Sequence, residues 1–371
     1  MKTILVVLGT RPEAIKLAPV ILALRKNNDY TVLVCNTEQQ KELSNQTLSF
    51  FGIKADFNLD VMRPNQTLAS VQSRILSTLS EVYENNKIDA TIVQGDTMTV
   101  FCGALVSFYN KVPVFHVEAG LRSYNLFEPF PEEAMRQMTA RITDLHFAPT
   151  IKAKEALLKE GIAENKIFLT GNTVIDALKC LSSDITDIAI KNLEQKGIVL
   201  NDKLVLVTAH RRENHGERLD NILSAIIKLS KLFPNHQFVI PVHPNPNVKE
   251  KVYNAFNKLT NVILTTPMDY PELVCMMSNA KLVLTDSGGI QEEAPTFGAP
   301  VLVMRYETER TEGIEAGFAK LVGADEEKII NEAKVILSLS KEETRKDGNL
   351  NPYGNGKSAE IIREVIDAFI L

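Results

Sequence analysis

The chain has no run approaching the roughly 18 apolar residues that a membrane span requires, so no membrane is expected as a partner. It also lacks any basic block: 41 Lys and Arg stand against 46 Asp and Glu, and the net charge is -5. A nucleic-acid duplex is therefore not an expected partner either. The four cysteines, Cys35, Cys102, Cys180 and Cys275, show no paired spacing, which argues against a zinc site or a disulfide framework. All four are expected to be buried structural thiols. Neither a Walker loop nor Gly-x-Gly-x-x-Gly occurs, so nothing calls for ATP chemistry or a nicotinamide, and no cofactor or metal is expected. The opening run Lys2–Gly9 is short and ends in Gly-Thr-Arg-Pro without a small-residue cleavage site. It reads as a buried strand of a cytoplasmic protein rather than as a signal peptide.

What is present is an ordinary globular composition, 44% hydrophobic and 23% charged. At 371 residues the chain exceeds the roughly 250–300 at which one core stops growing, so two domains are expected. Short, continuous apolar runs alternate with helix-length segments, the pattern of parallel strands covered on both faces. In the first half these runs are Thr3–Leu8, Thr31–Cys35, Ala90–Gln94, Val112–Val117 and Leu145–Ala148. In the second they are Leu204–Thr208, Gln237–Val242, Val262–Leu264, Leu282–Thr285 and Val301–Met304. The fold class is α/β, with two doubly wound, Rossmann-like domains. The expected boundaries are 1–172 plus 353–371 for the first domain and 173–352 for the second. The amphipathic segment Ser358–Leu371 follows a glycine-rich reversal and is assigned to the first domain.

Ligands of open α/β sheets bind beyond the carboxyl ends of the strands, so the residues after each run carry the functional reading. Gly9-Thr10-Arg11-Pro12 opens a helix whose backbone N–H groups suit an anion, with Arg11 and Lys16 adding charge. Asp96 and Glu118 follow two neighbouring strands, where idle carboxylates are unexpected. Glu132 and Arg136 lie one turn apart on a further helix, and Glu133 beside them reads as a structural first-turn acid. In the second half, His210 and His243 each stand at a strand end, whereas His146 and His236 read as structural and His215 as loop. The sharpest signal is Thr285-Asp286-Ser287-Gly288-Gly289, a strand turning through two glycines into a helix, a turn that cradles phosphate. Glu293, about one turn further on, can accept hydrogen bonds from ribose. Of Arg305 and Arg310, one suits the anionic ligand and the other a neighbouring Glu. This much supports a binder of a nucleoside diphosphate, equally at home in a transferase.

At these residues the chain resembles the non-hydrolysing UDP-N-acetylglucosamine 2-epimerase family. The motifs are GTRPEAIK at Gly9–Lys16, GDT at Gly95–Thr97, HVEAGLR at His116–Arg122 and PEE at Pro131–Glu133. They continue with FLTGNTVIDAL at Phe168–Leu178, AHRREN at Ala209–Asn214, PVHPNP at Pro241–Pro246, TDSGGIQEEAP at Thr285–Pro295 and NPYGNG at Asn351–Gly356. The resemblance implies the two-domain GT-B-like fold with the ligand in the cleft between domains, and a homodimer. It implies that UDP-N-acetylglucosamine and UDP-N-acetylmannosamine interconvert through loss of UDP and a 2-acetamidoglucal, supplying bacterial surface polysaccharide synthesis. It places Asp96, Glu118, Glu132 and His210 at catalytic positions. Arg11, Lys16, Arg136, His243, Ser287, Gly288, Gly289, Glu293 and Arg310 fall at or near substrate-binding ones. The chain departs from the family at Gln39-Gln40, where Gln-His is usual, and at Asn65, near which an Arg is frequent; these regions form a regulatory site in some members. It departs also at Thr311, in place of Pro, and at Leu273, where an aromatic often stacks on uracil. The competing readings are a retaining GT-B glycosyltransferase, a hydrolysing epimerase and a non-catalytic nucleotide-sugar sensor.

Overall fold

Thirteen strands form two parallel sheets, as seen in a computed structural model that describes residues 1–243 and 245–370. Pro244 of the Pro241–Pro246 motif and Leu371 of the expected last helix lie outside the described residues, as do the side chains of Arg212, Pro246 and Asn247.

The chain divides into two units, Met1–Cys180 with Tyr353–Leu371, and Leu181–Pro352. In the first unit the strands are β1 (Lys2–Leu8), β2 (Tyr30–Asn36), β3 (Phe57–Asn58), β4 (Ala90–Gln94), β5 (Val114–Val117), β6 (Leu145–Ala148) and β7 (Ile167–Leu169). Their order is β3-β2-β1-β4-β5-β6-β7, with every pair parallel. Ile4 through Leu8 are all fully buried, as the continuous apolar run demands. Burial of side chains this size contributes about 1.5–3 kcal/mol each. Leu5 and Val7 pack with Leu79, Val82, Val100 and Ala104, which come from the helices Leu68–Asn85 and Met98–Tyr109.

The last helix, Ser358–Ile370, belongs to the first unit and lies against the helices Arg11–Leu24 and Thr173–Lys179. Its first-turn N–H groups need acceptors from outside the helix. Buried Asp176 provides them, accepting from Ser358 N at 3.2 Å and Ala359 N at 2.9 Å.

The second unit holds β8 (Leu204–Thr208), β9 (Gln237–Pro241), β10 (Val262–Thr265), β11 (Leu282–Thr285), β12 (Val301–Val303) and β13 (Ala319–Leu321). The order β10-β9-β8-β11-β12-β13 is again wholly parallel. The helices Glu217–Leu232 and Glu326–Ser338 bury Ile222, Ile226, Leu229, Ile329 and Ala333 against this sheet's Val205, Val207 and Leu284. In both sheets the strand order reverses between neighbours, β1 and β4 in one and β8 and β11 in the other. Crevices open beside such reversals at the carboxyl ends of the strands.

One expectation from composition fails. Cys35, Cys102 and Cys275 are buried, but Cys180 is exposed. It caps the carboxyl end of the short helix Thr173–Lys179, where the chain leaves the packed layer. Among the described residues no helix is long and apolar enough to cross a membrane.

Candidate active site

Beyond β1 and β4, the turns Gly9-Thr10-Arg11 and Gly95-Asp96-Thr97 are joined through Glu13. Its Oε2 accepts from Gly9 N at 2.6 Å and Thr10 N at 3.0 Å, and its Oε1 accepts from the Thr97 hydroxyl at 2.5 Å. Arg11 N donates to Gln40 Oε1 at 3.0 Å. The backbone donors that the sequence offered to an anion are therefore occupied from within, which corrects that expectation. Glu13 is the internal acceptor, an arrangement that Thr10-x-x-Glu13 signals as a capping-box spacing. Burial pushes its carboxyl up to about 7, against the lowering effect of the hydrogen bonds from Thr97, Gly9 and Thr10.

Asp96 is part-exposed, with 28% of its side chain accessible. Arg136, from the helix Glu132–Arg141, donates to it from Nε at 2.9 Å and Nη2 at 2.6 Å, both to Oδ2. A third Arg136 nitrogen, Nη1, reaches Glu133 Oε2 at 3.2 Å. Glu133 is fully buried and accepts from Ser123 N at 2.9 Å, Tyr124 N at 3.2 Å and Gln137 Nε2 at 2.9 Å. It is structural, as read, and its further work is to fold back the loop after β5. Glu132, one residue earlier, is half-buried.

Glu118 sits beyond β5 with φ 61°, a conformation sparsely used by residues with a side chain and held only where surroundings over-determine it. Those surroundings are Lys16 Nζ, 2.7 and 2.8 Å from its two oxygens, and the Gln94 amide, which donates to Oε2. Both Lys16 and Glu118 are buried. Near the same edge His116 Nε2 lies 2.7 Å from Gly95 O, and burial pushes this imidazole down to about 4. His146, its cross-strand neighbour, is pushed down to about 3, chiefly by burial. Both rings are neutral parts of the sheet. In this unit the structure thus joins four residues that the sequence singled out separately, Arg136 with Asp96 and Lys16 with Glu118, where the sequence had paired Arg136 with Glu132.

In the second unit His210 follows β8, and Asp286 follows β11. The strand ends are tied by the Thr208 and Thr285 hydroxyls, 2.6 Å apart. The ring of His210 stacks on that of exposed His243, with centroids 5.8 Å apart and planes at 16°. Burial moves both imidazoles below their usual range, and for His210 the Asp286 carboxylate opposes that shift. Ser287 precedes the helix Gly288–Glu293, which runs on as a 3-10 turn over Ala294–Phe297. The first N–H groups of a helix have no intrahelical acceptor.

Arg310 lies over this turn. A Cβ added to Gly288 would stand 2.6 Å from the guanidinium carbon, so only glycine leaves room for Arg310 there. Arg310 Nε also donates to buried Glu292 Oε1 at 2.7 Å, and Nη1 pairs with Glu309. Arg305 Nε stands 2.9 Å from Glu213 Oε1. Both arginines therefore meet glutamates, where the sequence assigned one to a ligand. Glu293 is buried one turn into the helix. Sequence reasoning passed over Glu13 and Glu292, and only the capping-box spacing marked the former. Among the described residues no group of three His, Cys, Asp or Glu side chains is placed to hold a metal.

A description of the UDP-N-acetylglucosamine 2-epimerase family matches residues 22–367. The UDP-N-acetylglucosamine 2-epimerase of Neisseria meningitidis serogroup A is 46% identical over 366 residues, covering 98% of each chain. A crystal structure of the N. meningitidis enzyme bound to UDP-GlcNAc superposes with TM-score 0.90 at 46% identity, over 99% of this chain and 100% of that one. The Methanocaldococcus jannaschii enzyme in complex with UDP-GlcNAc and UDP gives TM-score 0.84 at 36% identity, over 99% and 100%. The glycotransferase of kitacinnamycin, 12% identical with TM-score 0.62 over 98% of each chain, shares the fold alone. With a family match across most of its length and relatives this similar over nearly all of it, the chain belongs to the UDP-N-acetylglucosamine 2-epimerase family.

Proposed function

We propose that this chain inverts C2 of UDP-N-acetylglucosamine reversibly, giving UDP-N-acetylmannosamine without hydrolysis. The N-terminal unit supplies the acid/base carboxylates, and the C-terminal unit holds the UDP moiety and adds His210. A base takes the C2 proton, the C2–H electrons form the C1=C2 bond, and the C1–O bond breaks to release UDP. The 2-acetamidoglucal then takes UDP back at C1 and a proton on the opposite face of C2. One proton and UDP leave, one proton and UDP return, and no water is consumed.

The C2 proton becomes acidic only as positive charge develops at C1, so departure of the diphosphate has to be assisted electrostatically. Ser287, the Gly288 and Gly289 N–H groups, Arg310, Arg11 and His243 are assigned to that end, with Glu293 on ribose. Asp96, Glu118, Glu132 and His210 are the acid/base set, and Lys16 and Arg136 position it. The observation that carries this reading is Asp96: it stands at the strand reversal, part-exposed, with Arg136 bonded to Oδ2 alone. Glu118, by contrast, is buried under Lys16 and Gln94. Asp96 is accordingly assigned the C2 proton. The enzyme is further proposed to be a cytoplasmic homodimer feeding surface polysaccharide synthesis.

The test is to incubate the protein with UDP-N-acetylglucosamine alone and follow the products by NMR. UDP-N-acetylmannosamine is the expected product. Free N-acetylmannosamine with UDP would instead make the chain a hydrolysing epimerase, and conversion only after an acceptor is added would make it a transferase.

A further inference from the structure

Asp286 stands in the segment that the sequence assigned to the diphosphate, but its carboxylate is turned away from that task. The residue is fully buried. Its Oδ2 accepts from His210 N at 3.0 Å, Arg211 N at 3.0 Å and Asn214 Nδ2 at 3.0 Å. Its Oδ1 accepts from His210 N at 3.2 Å and lies 3.2 Å from His210 Nδ1. Asn214 is itself held by Met304 O at 3.0 Å. A carboxylate is an acceptor only, and this one is enclosed by donors of the loop that carries His210. A diphosphate has nothing to gain from a buried negative charge, whereas an imidazole needing one fixed tautomer does.

We propose that Asp286 is a positioning residue for His210, keeping the Nδ1 proton directed at its Oδ1 so that Nε2 remains the lone-pair nitrogen of the ring. The proposal rests on the reading of His210 as an acid/base group. The stacked neighbour has the opposite arrangement: His243 Nδ1 accepts from Asn245 N at 3.2 Å, which leaves its proton on Nε2. The stack restrains the His210 ring plane, and Asp286 selects which nitrogen is protonated. Asp286→Asn reverses the selection. An amide can still accept on Oδ1 from the loop, but its Nδ2 then faces His210 Nδ1 as a donor and moves the ring proton to Nε2.

The experiment uses the full chain with nitrogen-15 in its histidines and long-range nitrogen–proton spectra near neutral pH, His210 being identified by the signals lost in His210→Gln. Wild type is expected to show His210 protonated on Nδ1, and Asp286→Asn to show it on Nε2. The same variant is expected to lose about 10²–10⁴-fold in kcat, the range for general acid–base groups, with KM and the affinity for UDP within about threefold of wild type. A wild-type His210 protonated on Nε2 overturns the proposal, whether or not the variant folds. So does an Asp286→Asn protein whose kcat is unchanged, or one that loses UDP affinity and leaves the tautomer as it was. Full turnover by His210→Gln would instead remove the acid/base reading of His210, and the tautomer would still decide the part assigned to Asp286.

Discussion

The turn after β1 and the turn after β11 resemble one another in sequence, each a strand end followed by glycine and a helix, yet they differ in what fills them. In the first, Glu13 of the same chain accepts the Gly9 and Thr10 N–H groups. In the second, two glycines open the helix and the Arg310 guanidinium lies against Gly288. A helix start is an anion site only if its own side chains leave it open. One turn therefore serves as a joint that ties Thr97 beside Asp96, and the other is the one proposed to take the diphosphate. The same contrast runs through the surrounding charges. The first unit pairs carboxylates with cations at the strand ends, and the second spends a buried carboxylate on backbone donors and a histidine.

The largest effect expected from this contrast is on turnover. Asp96→Asn should lower kcat by about 10²–10⁴-fold, while UDP affinity, measured by calorimetry, stays at the wild-type value; loss of UDP binding would erase the division of labour between units. Next comes stability. Lys16→Met strands Glu118 as a buried charge without its partner, and breaking such pairs costs about 3–5 kcal/mol. The double variant Lys16→Met, Glu118→Met should recover most of that loss in denaturant unfolding. A third test falls on the other turn: Gly288→Ala forces Arg310 aside and should weaken UDP binding about tenfold, or about 1.4 kcal/mol. The corresponding change at the plugged turn, Glu13→Gln, should leave UDP affinity alone.

The smallest effect is the pH dependence of stability. Between the ordinary value of 4.5 and about 7, folded Glu13 keeps a proton that the unfolded chain has lost. Stability from this group therefore falls as pH rises through that window and is level above it. The stability difference between Glu13→Gln and wild type should grow in favour of the variant from pH 4.5 to 7; a constant difference would show that Glu13 does not titrate there.

Much of the fold was legible because central parallel strands are buried on both faces and so appear as unbroken apolar runs. β4, β6, β8 and β11 follow their runs to the residue. The strands that escaped notice, β3, β7 and β13, are two or three residues long and stand at sheet edges, where one side is unpaired and no run is needed. Residues of the site were legible as strand-end residues, since the strand order directs ligands there. Their partners were not, because sequence shows that a carboxylate is present and not which donors it faces. Glu13 and Asp286 both lie inside recognisable motifs, and in both cases the fold turns the side chain inward. Cys180 erred the other way: composition favours burial for a cysteine, but the end of a short helix left this one exposed.

The central claim is that a proton leaves C2 and returns to the opposite face. Running the reaction to partial conversion in D2O and reading C2 of the product by NMR tests it most directly. The account predicts UDP-N-acetylmannosamine carrying deuterium at C2, and no exchange in the Asp96→Asn protein. Epimerised product that keeps its original C2 proton would contradict it.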